Sequence, residues 1–179
     1  MPDVKFSEKF DKNNKITKKV AQAYLKLKQI KRSGWIRPGL KDCESVADHS
    51  FGVAMLCMLH CPGNLNKEKV IKMALVHDLS EVEVGDLTPY DKGYKGKEKR
   101  ELLAIKTLNH DEITQLRTEY SNQKTGEAEF VRDMDLVEMV LQAKDYSHKI
   151  NIDEFIAYPK GKMKTDVGKQ LFNEIIKGE

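Results

Sequence analysis

Apolar residues recur at helical spacing along almost the whole chain. Between Asn13 and Ile30 they return every three or four positions, and the Asn13-Asn14 pair is a candidate N-cap. The alternation of apolar and polar residues that is typical of β-strands is nearly absent. The pattern therefore predicts an all-α fold built as a helical bundle.

Capping and breaking residues divide this pattern into separate helices. Ser45 and Asp48 form a capping-box variant, Asn66 is a second candidate N-cap, and Gly85 is a candidate helix end. The Ser33-Gly34 and Pro38-Gly39 steps predict a loop after the first helix. The predicted helices span approximately residues 16–30, 45–61, 66–85, 97–108, 113–120, 128–146, 152–156 and 166–176.

A polar loop rich in glycine, proline and tyrosine interrupts the helices at residues 88–96. Segments of this composition lie on the surface, because their backbone polar groups need water. The loop follows directly after a group of acidic residues. It is therefore a candidate lid over a site formed by those acids.

Length and charge limit the classes of function. A chain of 179 residues most simply forms one domain with one core, residues 1–179. Its net charge of +3 is too small to favour a nucleic-acid polymer, but it suits a small anionic substrate. No apolar run approaches the roughly 20 residues of a membrane span. Three cysteines and no recognisable signal peptide predict a cytoplasmic protein.

Two histidines occupy apolar helix faces. Val46 and Val53 lie at i−3 and i+4 from His49, and Met73 precedes His77 by four residues. This spacing places both imidazoles on or beside a buried face. A single histidine in such a position is more often a core residue with its hydrogen bonds satisfied than a ligand.

Two carboxylates have the same problem of burial. Asp78 and Asp135 lie within apolar patterns, where an ionised group without a partner is costly. A shared cation explains all four polar groups at once. Two nitrogens and two oxygens suit a divalent transition metal better than a structural zinc, and they leave positions for water and substrate. The predicted ligands are His49, His77, Asp78 and Asp135.

Two further acids follow the His-Asp pair. Glu81 lies four residues after His77, so both are predicted on one helix face, and Asp86 follows Gly85, which can turn the chain back toward the site. Two acids in unequal surroundings can divide the roles of acid and base. The sequence leaves open which residue takes which role, and a solvated helix end is the alternative for Glu81.

The only tryptophan, Trp35, lies between Arg32 and Arg37 in the predicted loop. An arginine fork suits a phosphate, and a flat ring can pack against a sugar. An aromatic residue that seals the core is the alternative for Trp35.

Five segments carry a resemblance to a known family: KRSGW at 31–35, ESVADH at 44–49, MALVHDLSE at 73–81, VGDLTP at 84–89 and FVRDMD at 130–135. The chain from Leu27 to about Gln142 resembles the HD-domain metal-dependent phosphohydrolases. It is most similar to their small 5'-deoxynucleotidase branch, for which the VGDLTP segment is specific.

The resemblance implies an HD-domain helical bundle that hydrolyses deoxyribonucleoside 5'-monophosphates. It implies that the four predicted ligands hold one divalent ion, which could be Mn, Co, Mg, Fe, Zn or Cu. It also implies that Glu81 and Asp86 handle protons, and that Trp35 lies near the deoxyribose. Relatives form homodimers, so a homodimer is expected. Arg37 stands one position earlier than the arginine of relatives, which makes Arg32 the predicted phosphate-binding residue.

Two other functions remain open at this point. A nucleotide pyrophosphohydrolase or a cyclic-nucleotide phosphodiesterase would keep the fold and the metal, but such enzymes often carry a second histidine pair, and no His-His dipeptide occurs here. A non-catalytic nucleotide-sensing module would keep the metal site alone. Glu81 and Asp86 argue against a sensor, since binding alone needs no proton donor.

Overall fold

The computed structural model describes residues 15–178, with the backbone alone for residues 15–17. Within this range the chain forms helices and no named strand, so the all-α prediction is confirmed. The predicted Asn13-Asn14 cap lies outside the described residues. The helices are α1 Lys15–Leu27, α2 Ser33–Ile36, α3 Val46–His60, α4 Lys67–Val76, α5 Glu81–Val84, α6 Lys97–Lys106, α7 Asp111–Asn122, α8 Gly126–Tyr146, α9 Asp153–Ala157 and α10 Asp166–Lys177.

Helix α8 is the central element of the fold. It contacts α3, α4, α7, α9 and α10. Val131, Met134 and Val137 of α8 are fully buried and pack with Met73 of α4 and Val53 of α3. Because α8 is covered on several sides, polar side chains on it are also removed from water. None of the described helices is long and apolar enough to cross a membrane.

Two smaller apolar clusters flank this core. One surrounds Ile105 and joins α1, α3, α5 and α6. The other contains Trp35, Tyr146 and Phe155, and it joins α2 to the end of α8 and to α9.

The caps of α3, α4 and α7 set where these helices begin. Ser45 Oγ accepts from the backbone N–H of Asp48 at 3.1 Å, and Asp48 Oδ2 accepts from the N–H of Ser45 at 2.8 Å, which confirms the capping box. Asn66 caps α4 as predicted. His110, to which the sequence assigns no role, caps α7 through its side chain.

The predicted continuous helix from 66 to 85 is wrong. Helix α4 ends at Val76, and α5 begins at Glu81. Between them the backbone bonds shorten to i→i+3: Leu79 N–H donates to Val76 C=O at 3.1 Å, and Glu81 N–H donates to Asp78 C=O at 2.9 Å. His77 and Glu81 therefore do not share one helix face. A tight turn places His77, Asp78 and Glu81 instead.

The predicted loop at Ser33-Gly34 is also wrong. Residues 33–36 form the short helix α2, because the backbone N–H groups of Trp35 and Ile36 both donate to Arg32 C=O. Trp35 therefore lies on a helical turn. This turn directs its ring into the third apolar cluster.

Candidate active site

The four predicted metal ligands lie together between α3, α4 and α8. His49 Nε2 of α3 is 3.2 Å from Asp135 Oδ1 of α8 and 3.9 Å from Asp78 Oδ2. His77 Nε2, at the end of α4, is 3.3 Å from the same Asp78 oxygen. The donor atoms of His49, His77 and Asp78 lie within 4.8 Å of one another. The structure thus brings side chains from three parts of the chain to one point.

Both imidazoles are fully buried, and each directs one nitrogen at this point. His77 Nδ1 is bonded to the carbonyl of Ala74 at 2.7 Å, and His49 Nδ1 lies 2.5 Å from Glu138 Oε2. Their Nε2 atoms have no hydrogen-bond partner within the described residues. Buried polar atoms nearly always have a hydrogen-bond partner, so these two Nε2 atoms require one. A divalent cation fits this set of two nitrogens and two carboxylates.

The carboxylates around His49 favour positive charge here. Burial and Arg32 lower the pKa of His49, but the nearby carboxylates of Asp135 and Glu138 outweigh both and raise the pKa to about 10. Burial opposes ionisation of Asp78 as well, yet His77 and Arg32 hold its pKa below the usual range. Carboxylates that favour a proton on an imidazole favour a metal cation by the same attraction.

Two hydrogen bonds to Oδ2 orient the carboxylate of Asp135. Tyr120 Oη and Arg132 Nη1 each donate to Asp135 Oδ2 at 2.7 Å, which leaves Oδ1 toward His49. Although burial raises the pKa of Asp135, the nearby Arg132 and His49 hold that pKa well below its usual range. Asp135 is therefore an ionised carboxylate with a fixed orientation.

Arg32 lies beside the carboxylates at the start of α2. Its Nη1 is 3.5 Å from Asp78 Oδ2 and 3.9 Å from Asp86 Oδ1, and its Nε is 4.0 Å from Glu44 Oε1. Burial lowers the pKa of Arg32, but the surrounding carboxylates outweigh burial and raise it. Arg32 is thus a permanent cation next to the predicted metal ligands, where it can attract an anion.

Glu81 is almost completely buried and carries one free oxygen. Its Oε1 accepts from Lys97 Nζ at 2.8 Å, and Lys97 Nζ also donates to Leu87 C=O at 3.2 Å. Its Oε2 is buried without a partner in the described residues. Burial and repulsion from Asp78 and Asp86 outweigh the attraction of Lys97, so the pKa of Glu81 is raised well above its usual value.

Asp86 is oriented by the chain reversal at Gly85. Gly85 ends α5 with φ of 82°, a left-handed conformation that favours glycine. Asp86 Oδ2 then accepts from the backbone N–H of Ser33 at 2.6 Å, and Ser33 Oγ donates to the Asp86 carbonyl at 2.5 Å. The turn brings Asp86 beside Arg32, and Asp86 also anchors α2.

A cavity of about 850 Å³ is lined by Arg32, Asp78, Glu81, Asp86 and Asp135. The loop at 88–96 forms part of its wall, as expected for a candidate lid. The guanidinium of Arg37 lies 4.3 Å from the ring centre of Tyr90 in this loop, and Arg37 also forms an ion pair with Glu154 of α9. Arg37 thus connects the loop to α9.

Trp35 contributes to both the core and the cavity wall. Only 1% of it is exposed, and its Nε1–H donates to Glu44 Oε1 at 2.8 Å. The ring packs 4.3 Å from Phe155 and 5.4 Å from Tyr146, measured between centroids. Trp35 still lines the cavity. It can therefore act on a ligand through the shape of the wall.

Several residues at the site are not among those predicted from sequence, and they include Tyr120, Glu138 and Lys97. Glu138 carries a usable signal, because it lies three residues after Asp135 and so on the same face of α8. Lys97 and Tyr120 carry no comparable signal, since their partners, Glu81 and Asp135, lie 16 and 15 residues away.

Comparison with known proteins places this arrangement in a family. The family model described as "HD domain" matches residues 24–175. The chain belongs to the HD-domain family. The predicted resemblance is thereby confirmed.

Named relatives of this HD-domain chain cover most of its length. The 5'-deoxynucleotidase hdd1 of Schizosaccharomyces pombe is 33% identical, over 86% of this chain and 81% of that protein. The 5'-deoxynucleotidase HDDC2 of Dictyostelium discoideum is 40% identical, over 82% and 89%. Among solved structures, a conserved hypothetical protein from Pyrococcus furiosus superposes with a TM-score of 0.81 at 31% identity, covering 88% of this chain and 98% of its own.

Proposed function

We propose that this HD-domain protein is a metal-dependent 5'-deoxynucleotidase, which hydrolyses deoxyribonucleoside 5'-monophosphates to a deoxynucleoside and phosphate. The observation that carries the proposal is the pair of unpartnered, buried Nε2 atoms of His49 and His77, which face Asp78 and Asp135 beside a cavity of about 850 Å³. The relatives named 5'-deoxynucleotidase, at 33 and 40% identity, support this choice of substrate.

Four side chains would hold one divalent ion. When bound, such an ion polarises a phosphoryl oxygen and lowers the pKa of a water molecule. The metal is expected among Mn, Co, Mg, Fe, Zn and Cu. The ligands in this proposal are His49, His77, Asp78 and Asp135.

Arg32 would hold the phosphate. Its guanidinium lies within 4 Å of Asp78 and Asp86 and lines the cavity, so a phosphate near the ligands would meet a permanent positive charge. A guanidinium can bind two phosphate oxygens at once, which fixes the orientation of the phosphorus. Binding through the phosphate alone would not distinguish one base from another.

Glu81 would donate a proton to the departing 5'-oxygen. Its raised pKa keeps the carboxyl protonated closer to neutral pH, and its buried Oε2 has no competing partner among the described residues. Asp86 is the second proton-handling residue in this proposal. One of its oxygens is bound to Ser33, whereas Oδ1 faces Arg32 at 3.9 Å. These unequal surroundings support a division of roles between Glu81 and Asp86.

Trp35 would select deoxyribose over ribose. Its ring is locked between Phe155 and Tyr146, so the wall it forms cannot easily give way to a 2'-hydroxyl. A hydroxyl pressed against the indole would also lose its hydrogen bonds with water. Both effects favour the smaller sugar.

We further propose a cytoplasmic homodimer, as the resemblance implies. Light scattering of the purified protein tests the dimer, and cell fractionation tests the location. A monomer at micromolar concentration, or a protein found in the membrane fraction, would contradict these two points.

The central test is phosphate release from a panel of nucleotides. The four deoxyribonucleoside 5'-monophosphates and their ribose counterparts are each incubated with Mn²⁺, Co²⁺, Mg²⁺ or Zn²⁺. We expect release from the deoxyribonucleotides, and its loss in Asp78→Ala and with a chelator. Hydrolysis confined to nucleoside triphosphates or cyclic nucleotides would instead support the alternative phosphohydrolase functions. Binding without hydrolysis would support a sensor.

A further inference from the structure

Two carboxylates of helix α8 approach the two ring nitrogens of His49. Asp135 Oδ1 lies 3.2 Å from His49 Nε2, and Glu138 Oε2 lies 2.5 Å from His49 Nδ1. Residues three apart share a helix face, so Asp135 and Glu138 reach the ring from one side of α8. His49 is fully buried and Glu138 is 8% exposed, so this contact is shielded from water.

Glu138 has room to reach His49 because residue 52 is glycine. Gly52 lies three residues after His49 on α3, in the middle of a 15-residue helix. A Cβ atom at this position would lie 2.8 Å from Glu138 Oε1 and 2.9 Å from Glu138 Cγ. Glycine is a poor helix former, so its presence here costs helix stability. The space it leaves is filled by the Glu138 side chain.

A third acid near this contact, Glu44, interacts with other side chains. Glu44 lies in the same group as His49 and Glu138, but its Oε1 accepts from Trp35 Nε1 at 2.8 Å and lies 4.0 Å from Arg32 Nε. Among the described residues, His49 is the one basic side chain within ion-pair distance of Glu138. The contact with His49 Nδ1 therefore orients the Glu138 carboxylate.

We propose that Glu138 is a positioning residue for the metal site and that Gly52 is the space it requires. By accepting the Nδ1–H of His49, Glu138 fixes the tautomer in which Nε2 is free to bind a cation, and it fixes the angle of the ring. The proposal rests on the metal site of the proposed function. It adds the pair Gly52 and Glu138 to the residues on which that site depends.

Metal affinity is the direct test. Binding of Mn²⁺ and Co²⁺ is measured by calorimetry for the wild type, Glu138→Ala, Glu138→Gln and Gly52→Ala, with Glu129→Gln as a control on a half-buried acid of α8 that pairs with Lys164. We expect affinity to fall about 10- to 100-fold in Glu138→Ala, the usual effect of removing a residue that orients a ligand, and to recover in part in Glu138→Gln. Glu129→Gln should bind like the wild type.

Gly52 is tested by a double-mutant cycle. Gly52→Ala should lower metal affinity in the wild type, because the new Cβ displaces Glu138. In the Glu138→Ala background the same change should leave affinity unchanged and raise the Tm, since alanine is the better helix former and the clash is gone. Equal losses of affinity in both backgrounds would overturn the role assigned to Gly52.

The Nδ1–H of His49 gives a spectroscopic readout of this contact. In ¹⁵N-correlated NMR spectra of the Zn²⁺-loaded protein, we expect this proton to exchange slowly with water in the wild type and faster in Glu138→Ala. If the wild type binds Mn²⁺ and Co²⁺ but the Glu138 variants bind them equally well, the positioning role is wrong while the proposed function stands. If the wild type binds neither ion, both are wrong.

Discussion

Tyr120 donates its phenol hydrogen to Asp135 Oδ2 over 2.7 Å, and both side chains are buried. The ring of Tyr120 also packs 5.2 Å from that of His77, measured between centroids. One side chain of α7 thus touches two of the four predicted metal ligands. The geometry of the site depends on residues that would never contact the metal themselves.

Removal of the Tyr120 hydroxyl should weaken metal binding without abolishing it. In Tyr120→Phe, Asp135 Oδ2 keeps the bond from Arg132 but loses the bond from the phenol. We expect an affinity for Mn²⁺ about 10-fold lower, at the mild end of the effect of such supporting residues. Calorimetry measures this affinity, with Tyr24→Phe at an exposed position of α1 as the control. An unchanged affinity would show that Arg132 orients Asp135 alone.

Loss of a ligand should remove metal and activity together. Asp78 lies within 4 Å of both imidazoles, so Asp78→Ala deletes the oxygen they share. We expect no bound metal by elemental analysis and no phosphate release above background. Phosphate release that persists in a chelator-treated, metal-free sample of the wild type would contradict the metal site.

Glu81→Gln should slow the reaction and spare the metal. The amide keeps the shape of the side chain but cannot transfer a proton. We expect kcat to fall by about 10²–10⁴, the usual contribution of general acid–base catalysis, with metal content unchanged. Asp86→Asn should behave similarly if the two residues act as a pair. A kcat near the wild-type value in either variant would remove that residue from proton transfer.

Trp35 should control the choice of sugar. We expect the wild type to prefer dAMP to AMP by about 10- to 200-fold in kcat/KM, the worth of one poorly accommodated group. Trp35→Ala should reduce this ratio, whereas Arg32→Ala should weaken both substrates alike. Because Trp35 is a fully buried core residue, Trp35→Ala also costs about 3–5 kcal/mol of stability. Trp35→Phe is therefore measured beside it, and an unchanged ratio in both variants would exclude Trp35 as the selector.

Asp133 should contribute to the stability of the fold and not to metal binding. It lies two residues before Asp135, but its fully buried carboxylate accepts from the backbone N–H groups of Lys164 and Thr165 at the start of α10. We expect Asp133→Ala to lower the free energy of unfolding by about 3 kcal/mol, because buried donors lose a charged acceptor. Urea unfolding measures this loss. Asp145→Ala, on the exposed side of α8, is the control and should change stability little.

Local sequence signals predicted the parts of the site that depend on one helix. The capping box of Ser45 and Asp48 places His49 one residue further along α3, and its apolar neighbours correctly indicate a buried face. The break after Val76 was not predictable in this way. Apolar residues continue through Leu79 and Val82, so the periodicity extends across a turn whose i→i+3 bonds leave no mark in it.

Contacts between distant segments could not be read from local spacing. Ser33, at the start of α2, donates hydrogen bonds to Asp86, which is 53 residues away. Nothing in the Ser-Gly step indicates this partner. The contact between Glu138 and His49 spans 89 residues. Such pairs follow from how the helices pack, and local propensity does not specify that packing.

The ammonium group of Lys97 has a consequence for how this protein could be redesigned. It bonds Glu81 and the carbonyl of Leu87, and it belongs to the residue directly after the loop at 88–96. The Lys97 side chain therefore connects the two ends of this loop and bonds them to Glu81, the predicted proton donor. We expect the loop to behave as an exchangeable cassette: its length and side chains can be varied to reshape the cavity wall, provided that Lys97 is kept.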